Sequence, residues 1–156
     1  MILLGLCALM HVALAGLLPS PWWVPDVLTI GLVLAACRTP GRWLRLSAAA
    51  GWWALLWAVR FPVPLVLSYV VVGGVMRAVA VHWDVSDPLV QLVLVALATL
   101  LLTGELLWLE GLWSTGIAAG ALTRFIATLA AAWVIQRLVP QPGGREQPLH
   151  EPLPAG

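Results

Sequence analysis

The chain contains no lysine, and charge of either sign is scarce: Asp, Glu, Lys and Arg make up 10% of its 156 residues. Soluble globular domains carry about 25%. With 62% hydrophobic residues, a water-soluble fold would expose large apolar surfaces. The composition therefore excludes an ordinary soluble domain and points to lipid as the solvent. A net charge of +1 offers no basic footprint for nucleic acid. Cys7 and Cys37 sit inside apolar runs without metal-ligand spacing, and both read as small hydrophobes. The Walker-type glycine loop, the HExxH pair, paired Cys ligands and a Ser-His-Asp order are all missing. So are a dense series of membrane carboxylates and a repeated pore motif. Neither an enzyme nor a cofactor or metal is expected.

What the chain has is apolar length. A crossing helix needs roughly 20 apolar residues, and residues 1–139 form one region with room for six such helices, or five if the second does not cross. The expected fold is all-α, a polytopic bundle, with spans near residues 2–18, 27–37, 46–59, 65–81, 89–109 and 115–138. The Pro/Gly-rich stretch 140–156 reads as a disordered cytoplasmic tail. Ala13-Leu14-Ala15 resembles a signal-peptidase site, but no basic residue precedes the apolar run, so cleavage is not expected. Arg38, Arg42 and Arg45 crowd one connection, which the positive-inside rule places in the cytoplasm. Arg77 and Arg137 agree with this, and only Arg60 falls on the other side. Six spans then put both termini in the cytoplasm. The second span is short, and a re-entrant course there would lower the count.

Several of the ten Trp, among them Trp22, Trp23, Trp43, Trp83, Trp108 and Trp113, fall near expected helix ends, where amphipathic rings favour the interface. Trp52, Trp53 and Trp57 lie within the third span and read as residues packing against lipid or another helix. Gly116 and Gly120 form a GxxxG pair flanked by alanines, and Ser47 and Gly51 a second small-residue pair. Both invite close helix approach.

Ionisable groups inside apolar spans are costly; here they are His11, Glu105 and Arg124. Glu105 and Arg124 lie nearly symmetrically about the turn near Ser114, each roughly 14 Å below it at 1.5 Å per residue. They are placed to pair, which at the least fixes hairpin register, or to be satisfied by separate partners, since equal depth does not ensure equal facing. His11 is expected to hydrogen-bond a neighbouring helix. Glu110 falls near the interface. Pro25 and Asp26 form a helix-start motif, since the helix dipole favours an anion at that position.

The plan of short spans, together with Val24-Pro25-Asp26-Val27-Leu28, an apolar run to Ala36 and Arg38-Thr39-Pro40-Gly41-Arg42, resembles the rod-shape-determining protein MreD family. Its members typically open the second span with Pro-Asp or Pro-Asn and follow it with a Pro/Arg turn. The resemblance covers the chain in plan and about twenty residues in detail. The third span departs from the family habit of an acidic ending: residues 52–60 contain no Asp, so no role for that acid transfers. The resemblance implies a non-enzymatic membrane scaffold of the cell-elongation machinery that supports peptidoglycan synthesis. The implied partner is a bitopic MreC-like protein, with RodA and a class B penicillin-binding protein beyond it. Homo-oligomers are compatible with this reading. The alternative is the substrate-binding subunit of an energy-coupling-factor vitamin transporter, also a small six-span bundle. The very short connections at 19–25, 60–64 and 110–114 leave little from which to build its lid.

Overall fold

The computed structural model describes residues 2–55, 62–110 and 115–138, and the regular structure within them is all helical. Six α-helices follow one another: α1 (Ile2–Leu17), α2 (Val27–Arg38), α3 (Trp43–Ala54), α4 (Pro62–Ala80), α5 (Pro88–Glu110) and α6 (Thr115–Leu138). Single 3-10 turns, Pro21–Trp23 and Pro40–Arg42, precede α2 and α3. Trp57, Arg60, Trp113 and the tail lie outside the described residues.

The expected all-α bundle is present, but the helices differ in reach. Three are long and apolar enough to cross a membrane, over Val63–Ala80, Pro88–Glu105 and Gly116–Leu138. At 1.5 Å per residue the 12-residue α2 and α3 each span about 18 Å, well short of the ~30 Å hydrocarbon layer. Prolines mark starts here more than stops. Pro62 and Pro64, expected to end one span and delay the next, lie in the first turn of α4. Proline costs little there because first-turn N–H groups have no intrahelical acceptor. Pro88 opens α5 in the same way, and Asp87 Oδ1 accepts from Leu89 N at 2.8 Å, covering one of the orphan donors of that terminus.

The shortest helices hold the centre. Residues Val27 to Val33 of α2 are all buried, and α2 touches each of the other five helices. A helix that is apolar all round belongs inside a bundle. On one side of it, Leu28 and Leu32 join Leu4 and Ala8 of α1, Ala50 and Ala54 of α3, and Tyr69 of α4. On the other, Ile30 and Val33 join Val72 and Met76 of α4, Leu94, Val95 and Ala98 of α5, and Ala132 of α6.

Helix association in lipid rests on close packing more than on expulsion of water, and the glycines show where it happens. A Cβ on Gly31 would stand 2.6 Å from Cys7 Sγ, so α1 and α2 meet there with Cys7 serving as a small apolar group. A Cβ on Gly51 would lie 3.0 Å from the Val66 Cα, and one on Gly73 would overlap Ser47. The Ser47/Gly51 pair thus forms the antiparallel α3–α4 seam that its spacing suggested. Trp53 lies against Gly5 of α1, also as a packing residue, whereas Trp52 is exposed.

The Gly116/Gly120 pair does something else. Gly116 faces open space, and the position a Cβ would take on Gly120 is filled by the Trp22 indole, 2.6 Å away at the nearest atom. The neighbour that approaches α6 closely here is therefore a tryptophan from the 3-10 turn before α2, and the small pair seats no helix among the described residues. Trp22 is correspondingly half-buried against α6. The connection from α1 to α2 is recessed against α6, which lets a helix too short to cross begin within the bundle.

Candidate functional site: a polar junction at the start of α2

Asp26 is the N-cap of α2. Its Oδ1 accepts from Thr29 N at 3.1 Å, as the helix-start motif implies. The sequence also marks the carboxylate as favoured by the helix dipole; what it does not reveal is how deeply Asp26 lies. The residue is 6% exposed, and its other oxygen, Oδ2, stands 3.8 Å from Arg124 Nη2 of α6.

The Asp26 backbone joins the same contact. Its N–H donates to Thr128 Oγ1 at 2.9 Å, and that hydroxyl donates in turn to the Arg124 carbonyl at 2.8 Å. Thr128 lies one turn beyond Arg124, so one face of α6 meets both the side chain and the backbone of Asp26. From the opposite side, His11 of α1 places Nδ1 3.2 Å from the Pro25 carbonyl. A carbonyl oxygen only accepts, so Nδ1 carries the proton in this contact. Tyr69 of α4, also buried, lies beside Thr29 and within electrostatic reach of Asp26 and Arg124.

Four helices and the recessed turn thus converge on one buried polar junction. The sequence placed Arg124 to pair with Glu105. Arg124 instead turns to Asp26, and among the described residues the Asp26–Arg124 contact is the one ion pair. Equal depth on neighbouring helices does not ensure equal facing, because each residue turns the helix by 100°. Glu105 is half-buried and outside the junction. His11 does bond across to a neighbouring segment, namely Pro25. Thr128 carried no signal in the sequence: a lone Thr in an alanine-rich helix reads as filler. The clue that was available was the shortness of the second span, which suits a helix packed inside the bundle and a buried carboxylate at its start in need of a cation.

The junction is incompletely saturated. At 3.8 Å the ion pair is longer than the ~2.7–2.9 Å of a charge-assisted hydrogen bond, and Arg124 Nε and Thr29 Oγ1 are buried without hydrogen-bond partners. The attraction is therefore electrostatic over a short gap, strengthened by the low dielectric around it. Among the described residues, no group of three His, Cys, Asp or Glu side chains could hold a metal ion. No known protein family, no curated protein and no solved structure matches the chain.

Proposed function

We propose that the chain is a non-enzymatic membrane scaffold of the bacterial cell-elongation machinery, of the MreD kind, whose work is to hold the transmembrane helix of a bitopic MreC-like partner. The observation that carries this reading is the use made of the Pro25-Asp26 pair, the residues in which the resemblance is most specific. Asp26 spends one carboxylate oxygen and its N–H on internal bonds and the other oxygen on Arg124. The polar junction thus shapes the bundle, and what the helices offer outward is apolar. On α1 the inner stripe is Leu4, Ala8 and His11, while Leu3, Leu6, Leu9, Met10 and Val12 all face out. A surface of that kind suits a single apolar helix as partner.

In this reading the chain and partner sit in the bacterial inner membrane with both termini of the chain in the cytoplasm, and the pair supports a RodA–class B penicillin-binding protein synthase. The test is co-purification of the full chain with an MreC-like protein whose transmembrane helix has been exchanged for an unrelated apolar helix of equal length. Capture is expected to fall at least tenfold. Undiminished capture would exclude helix-to-helix recognition. Neighbouring genes for transporter ATPases, in place of those for MreB and MreC, would favour the vitamin-transporter alternative.

A further inference from the structure

Of the three ionisable groups singled out inside apolar spans, two are matched within the bundle. His11 bonds to the Pro25 carbonyl, and Arg124 turns to Asp26. Glu105 is the third. It closes the apolar window Pro88–Glu105 of α5. The helix then runs on through Leu106-Leu107-Trp108-Leu109 to Glu110, so Glu105 stands about 7 Å short of the helix end at 1.5 Å per residue. Among the described residues no cation stands within ion-pair distance of its carboxylate. It is only half-buried. A carboxylate at apolar depth without a counter-charge is costly in lipid.

Its neighbours on α5 are those of a helix seam. Leu101, Gly104, Glu105 and Trp108 follow one another at i, i+3, i+4 and i+7, the spacing of residues that share one face. At 3.6 residues per turn they fall within an arc of about 100°. That face is turned outward: Leu101 is 40% and Trp108 75% exposed, and a Cβ on Gly104 would meet nothing within 4 Å. Gly31, Gly51 and Gly73 are each met by a neighbouring helix, whereas Gly104 is met by none. Small residues let a second helix approach closely, and polar residues beside them hold it there. Lipid tails suit Leu101 and Trp108, but they offer nothing to the carboxylate between them.

We propose that the Leu101/Gly104/Glu105/Trp108 stripe docks the transmembrane helix of a partner that carries an Arg or Lys at the depth of Glu105. Charge complementarity defines the partner: its basic residue supplies the counter-charge that Arg124 gives to Asp26 instead. The stripe offers a docking face for the class of partner named above, but it requires only that the bundle lie in a membrane. Its failure would leave the MreC-like reading standing, and the reverse also holds.

The test is energy transfer in phosphatidylcholine vesicles between the donor-labelled full-length chain and acceptor-labelled Leu/Ala peptides about 22 residues long. Each peptide carries a single Arg, Gln or Glu one turn from its end. The Arg peptide is expected to associate at least about fivefold more tightly than the Gln peptide, the scale of one interhelical polar contact, and the Glu peptide least. E105Q should bring the Arg and Gln peptides to parity, and E105R should transfer the preference to the Glu peptide. G104L fills open space, so it should leave thermal unfolding in detergent unchanged while weakening association of the Arg peptide. D84N, which alters an exposed carboxylate of the α4–α5 connection, should change nothing. Equal association of the three peptides with the unaltered chain, which needs no variant to fold, would overturn the proposal. So would an Arg preference that survives E105Q. Energy transfer between two copies of the chain that E105Q abolishes would overturn it as well, by making the occupant a second copy.

Discussion

Helices α4, α5 and α6 have 19, 23 and 24 residues, while α1, α2 and α3 have 16, 12 and 12. The long set shows most of its surface outward: in the windows that qualify as spans, 28%, 28% and 17% of residues are buried. In α2, by contrast, every residue from Val27 to Val33 is buried. The long helices suit a bilayer by length and composition alone. A helix of about 18 Å does not, and α2 is held by its neighbours: a capped start, an ion pair to α6 and glycine contacts to α1. The first half of the chain therefore depends on specific side chains where the second half depends on bulk apolarity, and single substitutions should be felt unequally in the two halves.

The largest effect is expected at Asp26. D26A removes the N-cap and leaves the half-buried Arg124 without its counter-charge, which should cost about 3 kcal/mol, the low end of what breaking a buried pair costs. In a double-mutant cycle on thermal stability in detergent, D26A and R124A should be coupled by about 1 kcal/mol or more, the double variant being milder than the sum of the two. E105A and R124A should add to within about 0.5 kcal/mol, as expected for residues that share no contact. Coupling of Arg124 to Glu105 and not to Asp26 would erase the contrast between the halves.

Next comes a pair of glycines on one helix. G120A places a methyl group against the Trp22 indole and should destabilise by about 1–3 kcal/mol, as overpacking does. G116A meets open space and should be neutral or stabilising by up to about 1 kcal/mol through helix propensity. W22A should relieve much of the G120A loss. Equal melting shifts for G116A and G120A would mean that α6 does not seat the recessed turn.

The smallest effect lies outside both halves of the bundle, in the α4–α5 connection. Hydrogen bonds from the Ser86 hydroxyl and N–H hold the Asp84 carboxyl below its usual range. Because the folded value is depressed, any stabilisation it brings is complete above the ordinary carboxylate pKa and disappears as pH falls through the folded value. Asp84 is fully exposed, so the effect should show in a carbon-13 carboxyl titration while leaving the melting temperature nearly unmoved. S86A should return the titration toward the ordinary range; an unchanged titration would show that the bonds to Ser86 are not its cause.

The helical class and the approximate place of all six helices could be read from the sequence because apolar runs between Pro, Gly and Arg clusters carry that information locally. The Ser47/Gly51 seam was legible for the same reason. Prolines misled at α4: Pro62 and Pro64 break a helix interior but fit its first turn, and the sequence alone does not say which of the two a proline occupies. The site was half legible. His11 and Arg124 stood out as ionisable groups in apolar surroundings, and Asp26 as part of the recognisable Pro25-Asp26 helix start. Their convergence was not, since Asp26 and Thr128 meet across 102 positions and no local pattern encodes that meeting. Symmetry about a turn favoured Glu105 as the partner of Arg124, and helix rotation decided otherwise.

The recessed turn before α2 also bears on how the chain is made. Asp26 and the short helix behind it leave the ribosome first, while Thr128, 102 residues later, does not yet exist. At about 5–20 residues per second, roughly 5–20 seconds of synthesis separate the acid from the side chains that receive it. During that interval α2 has neither the length to cross nor a counter-charge to settle against. Completion of the N-terminal half must therefore wait for the last helix, so the order in which the chain is synthesised is not the order in which its core closes.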